Sequence, residues 1–183
     1  VFASQQVADV VALGIGQDPP LRAWRSRPGV RTSSAATFGT TTVAAGASRQ
    51  LVAYGPAGEW LWEVRLPDLA AVPPVRLGDL AVVATLDGTV AGHDLATGAV
   101  RWSRQLPAEI RTLPVAAAGR VLVADQGGLL TCLDSAGAVV WAEDVGPVAH
   151  LAVSTGPDPV VVVPNSDGHL VTGLALADGR ELW

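Results

Sequence analysis

The chain has 183 residues, 49% of them apolar and 16% charged, with a formal net charge of −5. That is enough apolar material to bury the core of one domain, and it excludes a disordered chain. All 12 basic residues are arginine against 17 acids, a balance that argues against nucleic acid as a partner. The single cysteine, Cys132, excludes an internal disulfide framework and any multi-cysteine metal site.

Residues 1–24 form an N-terminal stretch that reads either as a stalk or as a partial first repeat. Residues 1–16 carry a mildly amphipathic pattern, and if the chain holds any helix we expect it near residues 3–13. No charged segment followed by an apolar one marks a secretory leader, and no run of about 18 apolar residues offers a membrane span. Val1 is not Met and Trp183 falls inside a repeat, so we expect a piece of a longer chain, with any membrane anchor lying outside it. Arg22, Arg25, Arg27 and Arg31 form the densest basic cluster; a solvated linker accounts for it better than contact with anionic headgroups.

From there the tryptophans set the rhythm. Trp24, Trp62, Trp102, Trp141 and Trp183 are 38, 40, 39 and 42 residues apart. A period near 40 points to propellers or solenoids. Gly58, Gly98, Gly137 and Gly179 each stand four residues before a tryptophan, with Pro20 as the exception before Trp24. Further upstream lie turn pairs at Asp87-Gly88, Gly127-Gly128 and Asp167-Gly168, each preceded by a run rich in valine. These divide the chain into four repeats, approximately 25–62, 63–102, 103–141 and 142–183.

Each repeat reads as four short strands. In the second they fall at 75–76, 80–85, 89–95 and 99–106, separated by Asp-Gly and Thr-Gly turns that supply positive φ. The final strand of each repeat should alternate. In Glu59 to Leu66 the sequence places Trp60, Trp62, Val64 and Leu66 on one face, expected to be buried, and mostly charged residues on the other. Four strands in about 40 residues is one blade of a β-propeller, so the expected fold is all-β, a partial propeller of about four blades. Blades of the WD type end in Trp-Asp, whereas these tryptophans precede Arg, Glu, Ser and Ala. A helical repeat would not carry Asp-Gly in mid-unit, and a sandwich would not repeat every 40 residues.

Gly92-His93-Asp94-Leu95-Ala96-Thr97-Gly98-Ala99-Val100-Arg101-Trp102 resembles the tryptophan-docking repeat of quinoprotein-type propellers, with its small residue, Asp, Thr-Gly and Trp. Leu133 to Trp141 is a shorter copy with Ala136 for Thr, and Leu174 to Trp183 lacks the first Asp. Gly58 to Trp62 keeps only the Gly and the Trp. The resemblance covers residues 25–183. It implies that each tryptophan packs on the glycine turn of a neighbouring blade. Burying one indole removes about 150–250 Å² from water, at most roughly 4–6 kcal/mol.

The resemblance also raises a cofactor, pyrroloquinoline quinone, held in family enzymes with calcium, an Asp and often a pair of adjacent cysteines. Cys132 cannot form such a pair, and it takes the small inward position held by Gly92 one repeat earlier. His93 stands where neighbouring repeats have Leu133 and Leu174; His150 lies between blades and His169 follows a turn, so no metal-binding spacing appears. Asp94 and Asp134, like Asp87, Asp125 and Asp167, sit at or beside turns whose backbone they can hold by hydrogen bonds. Gly14-Ile15-Gly16 is too short for a nucleotide fingerprint.

We therefore assign no catalytic, cofactor-binding or metal residues and expect no cofactor. The expected function is a non-enzymatic binding, scaffold or sensor propeller of the bacterial cell envelope, extracytoplasmic, with a protein or envelope polymer as partner. The resemblance offers two precedents: a lipoprotein that helps assemble outer-membrane barrels, and extracytoplasmic sensor propellers. The alternative is a fragment of a quinone-dependent dehydrogenase whose catalytic residues lie elsewhere.

Overall fold

The computed structural model describes residues 2–3, 10–13, 22–26, 32–46, 48–164 and 170–183. The described residues are strands and turns throughout. β1 (Phe2–Ala3), β2 (Val10–Leu13) and β3 (Arg22–Ser26) form a three-stranded antiparallel sheet. The helix expected near residues 3–13 gives way to strand β2 at Val10–Leu13, because the pairing of Ala12 with Trp24 and of Val11 with Arg25 outweighs a weak helical pattern; residues 4–9 lie outside the described residues.

Three four-stranded antiparallel sheets follow in simple up-and-down order. The first comprises β4 (Thr32–Phe38), β5 (Thr41–Gly46), β6 (Gln50–Tyr54) and β7 (Trp60–Arg65). The second comprises β8 (Val75–Leu77), β9 (Leu80–Ala84), β10 (Thr89–Asp94) and β11 (Val100–Gln105). The third comprises β12 (Val115–Ala117), β13 (Arg120–Ala124), β14 (Leu129–Asp134) and β15 (Val139–Asp144). The last sheet has β16 (Ala152–Val153), β17 (Val160–Pro164) and β18 (Val171–Ala175), and a bridge from Leu174 to Glu181 begins a fourth strand on its outer side. These are the blades of a partial β-propeller.

Three buried clusters lie between neighbouring blades, and a smaller one, Ala44, Val52 and Tyr54, lies within the first four-stranded blade. Ala81 and Val83 of β9 join Val43, Ala45, Leu51, Ala53 and Trp62 of the preceding blade. On the opposite face of the same strand, Val82 and Ala84 join Val121, Val123 and Leu133 of the following blade. Leu122, Cys132 and Trp141 in turn pack with Val161, Val163, Leu174 and Leu176. The middle strands are buried on both faces, which is why they read as continuous apolar runs such as Leu80-Ala81-Val82-Val83-Ala84.

The outer strands carry the junctions. Trp62, Trp102 and Trp141 sit on β7, β11 and β15, each paired with a small residue on the adjacent strand: Ala53, Gly92 and Cys132. In each case the register slips immediately beyond that pair, so Leu61, Arg101 and Val140 have no partner across the ladder. This β-bulge breaks the alternation. It also overturns one expectation: Trp60 is 62% exposed and not on the buried face, because the extra residue at Leu61 shifts the strand before Trp62 out of phase.

Each indole lies against the next blade's turn. A Cβ added at Gly98, Gly137 or Gly179 would stand 2.7 Å from Trp62, 2.5 Å from Trp102 or 2.8 Å from Trp141, respectively. Those glycines have φ of 76°, 75° and 78°, in the left-handed region that other residues rarely adopt. The indole N–H groups of Trp62, Trp102 and Trp141 donate to the carbonyls of Leu95, Ser135 and Leu176 at 3.0, 3.0 and 2.8 Å.

Trp183, by contrast, is 60% exposed in the described chain. Trp141→Ala should therefore cost about 3–5 kcal/mol of unfolding free energy, the range for truncating a buried large aromatic. Trp183→Ala should cost less than about 1 kcal/mol, as surface truncations do. Denaturant unfolding of the two variants beside the parent checks the order.

Candidate functional site

The turns account for most of the charged and polar residues singled out in the sequence. Asp94 Oδ1 accepts the amides of Ala96 and Thr97 at 3.0 Å each, and Oδ2 takes the Arg101 guanidinium at 2.6 Å. Arg101 first, then the Thr97 hydroxyl, draws the Asp94 carboxyl down to about 2. Asp134 accepts the amides of Ala136 and Ala138, and Asp125 those of Gly127 and Leu129. Burial acts to raise the Asp87 carboxyl, but hydrogen bonds from Thr85 and Thr89 outweigh it and the net shift is downward. Each carboxylate serves its own turn, Asp87 and Asp94 at opposite ends of β10 and Asp125 and Asp134 at opposite ends of β14. Among the described residues no three His, Cys, Asp or Glu side chains come together as a metal site.

The histidines are equally separate. His93 is buried in β10, whereas His150 is exposed between the third and last blades. His169, Asp167 and residues 14–16 lie outside the described residues. Arg22 and Arg25 fall on strand β3 rather than in a linker; Arg27 and Arg31 lie outside the described residues. Cys132 is fully buried opposite Trp141, and burial pushes its thiol up despite the nearby Arg120.

What the structure adds is a set of ordered connectors along one face. Residues 66–74 lead from β7 to β8, 106–114 from β11 to β12, and 145–151 from β15 to β16. Each begins by hydrogen-bonding across the end of its own blade: Leu66 N to Arg49 O, Leu106 N to Gly88 O and Val145 N to Gly128 O, at 2.8, 2.9 and 3.0 Å. The next blade closes on the first two, through Leu86 N to Leu69 O and Gln126 N to Glu109 O, both 2.8 Å. Ala70, Ile110 and Val148 are the buried anchors at their centres. Thr112 further donates to Val148 O at 3.0 Å, tying one connector to the next.

Between these anchors the connectors present Ala71, Arg111 and Leu113 to solvent, with Leu113 46% exposed. Arg49–Asp68 and Arg111–Glu109 ion pairs, at 2.8 and 2.9 Å, flank the surface. Sequence reading anchored on tryptophan missed these loops. The signal was present as Leu66-Pro67 and Leu106-Pro107, with Pro74 and Pro114 closing each connector at the same spacing.

Of the innermost strands β4, β8, β12 and β16, only β8 carries a charged residue, Arg76. An open groove of about 420 Å³ beside β12 and β16 is lined by Val115, Ala117, Val153, Ser154, Thr155 and Pro159 among others, without a charged side chain. Pyrroloquinoline quinone bears carboxylates and needs convergent cationic or metal-bound groups. Arg76, on neighbouring β8, donates to its own turn at Gly78 O. The donor set of the described inner wall does not fit that cofactor.

Up-and-down four-stranded blades, joined by tryptophans seated on the glycine turn of the next blade, define a β-propeller of the quinoprotein-like repeat class. The family described as outer membrane protein assembly factor BamB matches residues 18–113 and 47–183. The chain belongs to that family. It is 27% identical over 177 residues to the outer membrane protein assembly factor BamB of Bordetella pertussis, covering 87% of this chain and 46% of that protein. It is 29% identical over 125 residues to the BamB of Nitrosomonas eutropha, covering 67% of this chain and 30% of that one. The chain thus spans about half or less of the length of the curated relatives it matches. The crystal structure of BamB from Moraxella catarrhalis superposes with a TM-score of 0.79 at 23% identity, over 99% of this chain and 59% of that one. A computationally designed protein, Ika4, superposes at 0.69 with 17% identity, over 79% of this chain and 90% of its own.

The burial of Cys132 has a direct consequence. At neutral pH an aromatic disulfide reagent should leave it unmodified in the native protein, and react stoichiometrically once denaturant unfolds the blades. Absorbance of the released thiolate measures both.

Proposed function

We propose that this chain is a non-enzymatic scaffold propeller of the bacterial cell envelope, extracytoplasmic, which binds a protein of the outer-membrane assembly apparatus through its connector face. The observation that carries this reading is the pair of connectors 66–74 and 106–114. Their backbones are hydrogen-bonded to the blades on either side and their anchors are buried. Loops held this way lose little conformational freedom on binding, which favours protein recognition. The exposed Leu113, the adjacent Arg111 and the flanking ion pairs give the face an apolar centre with a charged surround, the usual anatomy of a protein interface. The assembly-factor name of the family and of both relatives supports the class of partner.

A photo-reactive amino acid at position 113, in the protein expressed in its own envelope, should cross-link to an outer-membrane assembly protein. The same group at Val100, exposed on the outer rim, should not. Cross-linking at 100 alone, or at neither position, would overturn the connector face as the site. Calorimetric titration with pyrroloquinoline quinone and excess calcium should show no binding; a micromolar complex would replace the scaffold reading with the dehydrogenase one.

A further inference from the structure

Structurally equivalent positions recur from sheet to sheet, Leu13, Tyr54, His93, Leu133 and Leu174, paired with Arg22, Trp60, Val100, Val139 and Glu181. His93 stands out. It is 2% exposed, and it faces the first four-stranded blade, since its β9 neighbour Ala81 belongs to the cluster containing Trp62. Its Nδ1 lies 3.1 Å from the carbonyl of Gly98, the glycine on which Trp62 is seated. A carbonyl only accepts, so Nδ1 carries the proton and donates. Nε2 is then an unprotonated acceptor, buried and without a hydrogen-bond partner among the described residues.

A second proton on Nε2 would place a positive charge where nothing can accept it. The surroundings offer no compensation. β4, β5 and β9 contain no titratable side chain, and β6 contributes only Tyr54. Within the second blade, Asp94 is paired with Arg101, Arg76 of β8, in line with His93 across Ala81, is a cation that donates to Gly78 O, and Arg104 donates to Gly137 O of the third blade. Across the junction, Glu63 on β7 accepts from Gln50, and both Glu63 and Arg65 are exposed. Glu59, in the turn before β7, accepts from Ala57 N of its own turn. The docking turn Leu95 to Ala99 has no charged residue.

We infer that His93 makes the junction between the first and second four-stranded blades acid-sensitive. Protonation of Nε2 releases Trp62 from the Gly98 turn, while the Trp102 and Trp141 junctions, with Leu133 and Leu174 at the same place, stay closed. Connector 66–74 spans the junction that opens, so its position changes with it.

Burial holds the His93 imidazole below its ordinary value of 6.5, the Gly98 bond pulling weakly the other way. The docked state therefore keeps His93 neutral, and the opened state takes up the proton. Junction stability is complete above pH 6.5 and falls as the pH drops below it. Asp94 and Asp87, both lowered from 3.8, lose their contribution only at pH below that value, so the two windows separate.

The test is hydrogen exchange of the indole N–H of Trp62, with those of Trp102 and Trp141 as internal references, in this chain between pH 7.5 and 5.0. After correction for intrinsic exchange, opening at Trp62 should rise relative to the others by up to about 30-fold, the ratio set by a proton taken up at 6.5 and offered at pH 5.0. His93→Leu should abolish that selective rise. His93→Asn, neutral at every pH and still able to donate to Gly98 O, should do the same and serves if the Leu variant folds poorly. A rise shared by all three indoles, no rise, or a selective rise that persists in either folded variant would overturn the inference.

Discussion

The structure depends on one repeated contact: an indole laid on a glycine turn, with its N–H bound to a carbonyl of that turn. Trp62 on Gly98, Trp102 on Gly137 and Trp141 on Gly179 are the same event at three junctions. The contact binds two blades that are not covalently adjacent at that point, and it constrains both partners. The turn needs a residue without Cβ, both for its positive φ and for the approach of the ring. The tryptophan needs a small residue behind it on its own sheet, which is Ala53, Gly92 or Cys132. Cys132 is thereby explained as a packing residue whose reactivity is suppressed by the place it fills.

A contact of this kind makes the stability of the molecule a sum over junctions. Three of the buried clusters draw strands from two neighbouring blades, so a blade taken alone would expose both faces of its middle strands. The bulge beyond every Trp pair belongs to the same arrangement. It re-aims the outer strand so that the tryptophan turns inward while the residues before it, Trp60, Val100 and Val139, are left on the rim. The docking turns are braced a second time by arginine: Arg104 donates to Gly137 O, and Arg120 reaches the carbonyls of Leu176 and Ala177.

The repeat itself was legible because its signals are residue types with few other uses at fixed spacing. Tryptophan every 40 residues, glycine four positions earlier and valine runs between turns place β8 to β11 within a residue or so of where they lie. The exposure of Trp60 was not legible, since alternation is a property of one strand and a bulge is a property of two. Leu61 looks like any other strand residue until its unpaired position against Ala53 and Tyr54 is known. The same reason hid the arginine braces: Arg104 meets Gly137 and Arg120 meets Leu176 across junctions, 33 and 56 residues away in sequence. The connectors were a different case. Their Leu-Pro and Pro punctuation was visible, but only geometry shows that loops without β pattern are pinned at both ends.

A repeat protein also separates what is generic from what is particular more sharply than an irregular fold does. Asp94 and Asp134 do the same work in successive turns, which makes a shared catalytic role for them hard to build: each faces its own backbone, and the period keeps them one blade apart. Information specific to this chain must then lie where the repeats differ. They differ in the connectors, where Ile110 replaces Ala70 as anchor and Arg111 replaces Ala71 at the surface, and in the residue beside each bulge, where one junction has histidine and two have leucine. The first difference changes what a partner would touch. The second changes how firmly two blades are held. Because connector 66–74 crosses the junction that contains His93, these two kinds of variation act on one region of the molecule, and a change in blade docking there moves the surface that recognition would use.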